Sequence, residues 1–271
     1  MKPKARQIID IHIYYISMRI TIKIGSNVLT RADGSLDVTR MSAIVDQIAS
    51  LRRMGHEIIL VSSGAVASGR SELKHIQHDL DSVDQRQLFS AVGQAKLINR
   101  YFELFREYSI PVGQVLTTKE NFSDSEHRKN QENCMRVMLE NEVLPIVNEN
   151  DTVSVTELMF TDNDELSGLI ARMTQSQMLI ILSNIDGIYT GNPTDPESRL
   201  ISIVKPGKSL DEYIQASKSS AGRGGMQSKS SVAQQTAAAG ISVIIANGKR
   251  NDILLNLMND RDNTPCTEFL C

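Results

Sequence analysis

The sequence predicts an α/β protein, a three-layer sandwich with a mainly parallel central sheet and helices on both faces. Short apolar runs of strand length recur along the chain, and small or polar residues end them before helical patterns begin. Two runs, Ile58-Ile59-Leu60-Val61 and Met178-Leu179-Ile180-Ile181-Leu182, are apolar without interruption, which suits parallel strands covered on both faces. Strands and helices alternate, so crossovers return successive strands to one sheet in one direction.

The first strand is expected at 19–24. Ile20, Ile22 and Ile24 alternate with Thr21 and Lys23, and Gly25-Ser26-Asn27 ends the pattern. Lys23 thus stands near the carboxyl end of a strand, the edge where ligands gather in open α/β sheets. Two readings stay open there: a phosphate cradle in which a mobile point charge sits beside backbone donors, or an edge strand with its lysine in solvent. Residues 37–54 read as a helix, with Asp37 to cap it and Gly55 to end it. The strand at 57–61 runs into Ser62-Ser63-Gly64-Ala65 and a further helix, a turn that presents N–H donors to an anion or simply connects strand to helix. A long helix over 84–108 follows, its apolar stripe drawn through Leu88, Val92, Ala95, Ile98, Phe102 and Phe105. Strands at 111–117 and 143–147 flank a helix at 125–141, and the second ends in Asn148-Glu149-Asn150-Asp151. A small hairpin is expected at 152–160 and a helix at 165–173, which Asp162 or Asn163 caps. Strands at 178–182, 200–204 and 241–246, helices at 226–239 and 252–258, and a final strand at 267–270 complete the pattern.

Composition narrows the function. A net charge of −3 argues against broad nucleic-acid binding, and the absence of Trp with only 4% aromatics argues against stacking platforms for single strands. Cys134, Cys266 and Cys271 are scattered and have no metal-ligand spacing, so they read as reduced thiols without a role. Residues 1–17 begin basic and turn partly apolar, but Asp10 and His12 interrupt the run and no cleavage site follows. They are expected to form an extension before a single domain at 18–271.

Familiar nucleotide motifs fail. Gly207-Lys208-Ser209 resembles the end of a P-loop, but Ser202 occupies the position of its first glycine. Gly222-Arg223-Gly224 lacks the third glycine of a dinucleotide fingerprint, since Gln227 stands there. What remains is a set of sites spread over strand ends: Lys23 and Lys229 beside glycine-rich turns, and acidic and amide clusters at 148–151 and 162–164. Such a set suits phosphoryl transfer, which needs positive charge on the moving group and donors that fix the acceptor.

The ordered motifs resemble the amino acid kinase family. They are I-K-I-G-S-N-V-L-T from Ile22, I-I-L-V-S-S-G-A-V from Ile58, V-G-Q from Val92, I-V-N-E-N-D-T-V from Ile146, D-N-D-E-L-S from Asp162, G-I-Y-T from Gly187 and G-G-M-Q-S-K from Gly224. The Ser-Gly turn and the Asn-Glu-Asn-Asp run point, by that resemblance, to the branch that phosphorylates the γ-carboxylate of L-glutamate with ATP, the first step towards proline. The resemblance implies an acceptor site over residues 18–175 and an ATP site over 176–271. It implies that Lys23 and Lys229 stabilise the transferring phosphoryl group and that Asp164 organises them. It assigns Ser63, Asp151 and Asn163 to glutamate, with Asn148 close by. Gly25 and Ser26 become backbone donors to phosphate. Ser183, Asn184, Arg223, Gly224, Gly225, Met226, Gln227, Ser228 and Lys229 line the nucleotide. Mg2+ is expected on ATP oxygens and water without a protein cage. Lys23, Lys229, Asp164, Asp151 and Ser63 are expected at solvent-facing strand ends, outside the core. The resemblance further implies a cytoplasmic homo-oligomer that hands its product to glutamate-5-semialdehyde dehydrogenase and engages neither nucleic acid nor membrane.

Three departures from the family pattern stand out. Ser183-Asn184 replaces the usual Thr-Asp, Arg223 replaces a small Ser or Thr, and the C-terminal RNA-modification-type domain of many relatives is not expected here. The rival readings are a kinase of another small carboxylic or carbamic acid, and a non-catalytic amino-acid sensor of the same fold.

Overall fold

The computed structural model describes residues 17–74, 80–154, 160, 162–210, 213 and 225–271. At the middle of its sheet lies β1 (Arg19–Ile24), flanked in parallel by β2 (Glu57–Ser62) and β5 (Met178–Ser183). Beyond β2 come β4 (Leu144–Glu149) and the edge strand β3 (Val112–Thr117), and beyond β5 comes β7 (Ser242–Asn247), all parallel. Only the far edge turns round: β8 (Cys266–Phe269) runs antiparallel to β7 and carries the two-residue β6 (Ile203–Val204). The strand expected at 200–204 is this short because Leu200 and Ile201 pair with Tyr189 and Ile188 of the preceding turn instead.

The apolar runs divide residue by residue between two helical layers. Ile58, Leu60, Ile180, Leu182, Ile244 and Ala246 face one layer, while Ile59, Val61, Leu179, Ile181, Val243 and Ile245 face the other. The first layer holds α2 (Val38–Arg53), α4 (Ser82–Arg106) and α9 (Ile253–Asn259). The second holds α6 (Ser125–Glu140), α7 (Asn163–Met173) and α8 (Met226–Ala238). Short helices α1 (Ser26–Leu29), α3 (Ala65–Glu72) and α5 (Glu120–Ser123) connect them. Asp37, Asp81, Asp124 and Asp162 cap α2, α4, α6 and α7 by accepting first-turn N–H groups. The hairpin expected at 152–160 and the extension at 1–17 fall largely outside the described residues.

One helix face differs from expectation. The buried stripe of α4 is Ser90, Gly93, Leu97, Tyr101 and Phe105, whereas Ala95 and Phe102 are exposed. The cause is contact with α3 at backbone distance. A Cβ on Gly93 would lie 1.8 Å from the Ala65 carbonyl oxygen, and one on Gly69 would lie 1.8 Å from that of Phe89. Large side chains do not fit between these helices, so Gly93, and not a large apolar residue, holds the inner face there.

Candidate active site

Parallel pairing brings the carboxyl ends of the central strands to one edge. Ile24 is level with Ser62 on one side and Leu182 on the other, and Ser183 is level with Asn247. The turns that follow, at 25–27, 63–64, 150–153 and 184–187, therefore share that edge. Helix α7 starts over the ends of β1, β2 and β4 and places Asp162, Asn163 and Asp164 among them.

Asp164 is fully buried and joins the two lysines. Lys23 Nζ lies 2.5 Å from its Oδ1, and Lys229 Nζ lies 2.8 Å from its Oδ2. Burial raises the Asp164 carboxyl, and the two ammonium groups outweigh burial, so its pKa is lowered overall. Lys229 sits in the first turn of α8, where the helix dipole disfavours a cation. The carboxylate of Asp164 compensates that placement.

A second group forms around Asn163. Its amide nitrogen donates towards Ser63 Oγ at 3.0 Å, Asn148 Oδ1 at 2.9 Å and the Ser62 carbonyl at 3.2 Å. Asn148 in turn donates to Gln94 Oε1 at 2.7 Å, which brings the glutamine of the V-G-Q motif to the site. Asp151 is held by Arg86, whose Nε donates to its Oδ1 at 2.6 Å, and the same guanidinium donates to Glu149 Oε2 at 2.7 Å. Burial raises the carboxyl groups of Glu149, Asp151 and Asp162, with a neighbouring carboxylate adding to the shift at Glu149 and Asp162. These residues border a cleft of about 530 Å³, lined by Ser63, Arg70, Arg86, Asn148, Asp151 and Asn163 among others.

Most of the expected site thus comes together, with three corrections. Lys23, Asp151 and Asp164 are buried, not solvent-facing, because α7 roofs the strand ends and each charge meets an opposite one; the uncharged Asn148 and Ser183 are buried with them. Gly25 is not a free phosphate donor: its N–H is donated to the Leu182 carbonyl at 3.1 Å. Its lack of a side chain matters instead, since a Cβ would lie 3.2 Å from that oxygen and 3.5 Å from Lys23 Nζ. Ser26 opens the four-residue α1, in which the Val28 and Leu29 N–H groups donate to the Gly25 carbonyl at 3.0 and 3.4 Å. Thirdly, Arg86 lines the cleft although no sequence motif contains it, and Gln94, present only as part of the V-G-Q motif, joins the site behind Asn148. The signal for Arg86 was its place four residues before the buried Ser90 on α4.

On the other half, Ser183 points its hydroxyl towards Asn184 Oδ1 at 3.4 Å, and Asn184 is exposed. Gly225 caps α8, whose first turn carries Met226, Gln227, Ser228 and Lys229. Arg223 and Gly224 lie outside the described residues. The turn after β5 is tied to that after β7 by Asp186, which accepts from Arg250 at 2.6 and 2.7 Å and from Asn247 at 3.1 Å. Among the described residues, no group of three acidic, histidine or cysteine side chains is placed to hold a metal, and no helix is long and apolar enough to cross a membrane.

A mainly parallel sheet with two lysines bridged at its carboxyl edge defines a class. Residues 18–247 match the amino acid kinase family, and the chain belongs to it. Within that family it is 69% identical over 252 residues to glutamate 5-kinase of Bacteroides thetaiotaomicron, a match that spans 93% of this chain and 70% of that protein. It is 37% identical over 245 residues to glutamate 5-kinase of Clostridium acetobutylicum, spanning 89% of this chain and 91% of the relative. Its fold resembles that of carbamate kinase from Giardia lamblia bound to AMP-PNP, with a TM-score of 0.65 at 17% identity over 94% of this chain and 98% of that one.

Proposed function

We propose that this chain transfers the γ-phosphoryl group of ATP to the γ-carboxylate of L-glutamate, giving γ-glutamyl phosphate and ADP, the first step towards proline. The observation that carries this reading is the buried bridge Lys23–Asp164–Lys229 beside the amide cluster of Ser63, Asn148 and Asn163. A carboxylate oxygen attacks the γ-phosphorus, a new P–O bond forms, and the bond to the β,γ-bridging oxygen breaks and leaves its electrons on ADP. The carboxylate is already a nucleophile, so no general base is needed. What the reaction needs is cancellation of charge between two anions, and the two ammonium groups supply it.

In this reading glutamate occupies the cleft over residues 18–175. Asp151 accepts from its α-ammonium group, and Ser63 and Asn163 orient its carboxylate. ATP lies over residues 176–271, on the first turn of α8 and beside Ser183 and Asn184. Mg2+ would come as a companion of the triphosphate, because Asp164 is committed to two lysines and one oxygen of Asp162 to the cap of α7. It supplies charge neutralisation on the phosphate oxygens when bound. An acyl phosphate is labile in water, so a reductive dehydrogenase step is the natural consumer of the product.

The test is ADP release with a panel of acids: L-glutamate, L-aspartate, carbamate and N-acetylglutamate. Turnover with glutamate, and trapping of the product by hydroxylamine as the γ-hydroxamate, is the expected result. Turnover confined to another acid would favour a different kinase of the family. Glutamate binding without ADP release would favour the sensor.

A further inference from the structure

Two carboxylates that differ in what they can still do lie one residue apart at the end of β4. Glu149 is fully engaged: its Oε1 accepts from Ser154 Oγ at 2.9 Å and from the Phe160 N–H at 3.0 Å, and its Oε2 accepts from Arg86. Asp151 gives its Oδ1 to Arg86, while its Oδ2 accepts no hydrogen bond from the described residues, and Asp151 borders the cleft. Glu149 therefore acts as an internal tie, and Asp151 has acceptor capacity left for a ligand.

We propose that Arg86 is a specificity-determining positioning residue, which holds Asp151 as the fixed anion that selects an acceptor bearing an α-ammonium group. This deepens the reading of the cleft as a glutamate site and rests on it. Two buried carboxylates so close repel each other, and burial further disfavours their charged forms. Without a cation between them one takes up a proton, and a neutral Asp151 no longer holds an ammonium group. The planar fork of arginine spans both carboxylates from one side chain, Nε on Asp151 and Nη2 on both. Lysine offers a compact point charge on a flexible stem and cannot reproduce that geometry. Arg86 is carried by α4, whose buried stripe is locked against α3, so the guanidinium is delivered by a rigid element.

The experiment compares wild type, Arg86→Met and Arg86→Lys. It measures KM for L-glutamate, KM for ATP, and the inhibition constant of glutarate, which carries both carboxylates but no α-ammonium group. A hydrogen bond to a charged group corresponds to about 10–100-fold, so Arg86→Met should raise KM for glutamate by about that factor and move glutarate by no more than about three-fold. Arg86→Lys should lie between. The ratio of the two constants separates selection from general damage, which would weaken both ligands alike and shift KM for ATP as well. Glutarate and glutamate weakened in parallel, or a glutamate preference kept within about two-fold in the variants, overturns the inference. If Arg86→Met fails to fold, Arg86→Lys is scored by the same ratio. A wild type that releases no ADP with glutamate overturns the functional reading itself, whereas an active wild type with unchanged variants overturns only the role of Arg86.

Discussion

Replacing Asp164 by asparagine keeps the shape of the side chain and removes its charge. Lys23 and Lys229 contact opposite oxygens of that carboxylate at 2.5 and 2.8 Å. Their ammonium groups are then roughly 6 Å apart, and at an effective dielectric constant of about 20 they repel by about 3 kcal/mol. Removing one partner from a buried ion pair costs about 3–5 kcal/mol, because the desolvated charge left behind is uncompensated. We therefore expect Asp164→Asn to lose about 3–5 kcal/mol of stability in urea at pH 7, a large part of the ~5–15 kcal/mol of an ordinary domain. Turnover should fall about 10²–10³-fold as the lysines lose their anchor. The diagnostic measurement is a second change: Lys229→Met on the Asp164→Asn background should recover stability, since it relieves the repulsion. The sign of the pH dependence follows from the lowered pKa. The stabilisation by Asp164 is fully present above the ordinary value of 3.8 and is lost as pH falls below it through the folded-state value. The stability gap between wild type and Asp164→Asn should accordingly be flat near neutrality and close below pH 3.8. A variant as stable as wild type, or a Lys229→Met change that adds a further loss, would refute the argument from buried charge.

Lys23→Ala and Lys229→Ala should each lower kcat by about 10²–10³-fold, with the double change costing less than the sum because both serve one phosphoryl group. Asp151→Ala and Ser63→Ala should raise KM for glutamate and leave KM for ATP nearly unchanged; steady-state kinetics with either substrate varied checks this. Gly93→Ala should yield little folded protein, since its Cβ meets the Ala65 carbonyl oxygen at 1.8 Å and rigid helix backbones on both sides cannot give way; circular dichroism of the soluble fraction reads the outcome. Cys134→Ser and Cys271→Ser should be silent, whereas Cys266→Ser, buried in the core at the start of β8, should cost about 1–3 kcal/mol in urea unfolding.

The strands were legible because their signal is local. The run Met178–Leu182 needs both faces covered to make sense, and the two helical layers cover both. The caps were legible for the same reason: Asp37 bonds the N–H of Arg40, three residues on, and Asp162 bonds those of Asp164 and Glu165. The motif residues at the ends of β1, β2 and β4 could be placed on one edge because parallel strands share a direction. Their burial could not. Lys23, Asp151 and Asp164 look solvent-facing in any short window, and they are buried because each finds an opposite charge from a distant part of the chain. The sequence window holds the cost of burial and not the partner that offsets it.

Helix α4 shows the same limit from the other side. Drawing its stripe through Leu88, Val92, Ala95, Ile98, Phe102 and Phe105 follows the apolar residues, yet one of its two closest approaches to α3 is made by Gly93, which has no side chain to bury. Close backbone packing reverses the usual inference, because the residue that touches most is the one that offers least hydrophobic surface. Once Gly93, Leu97, Tyr101 and Phe105 define the inner face, Ser90 and Arg86 fall on its continuation towards the helix start. An arginine on the core-facing stripe at the end of a helix that points to a ligand cleft then requires a buried anion opposite it. Glu149 and Asp151 meet that requirement, so the helix register and the charge pattern of the cleft are one constraint seen from two ends.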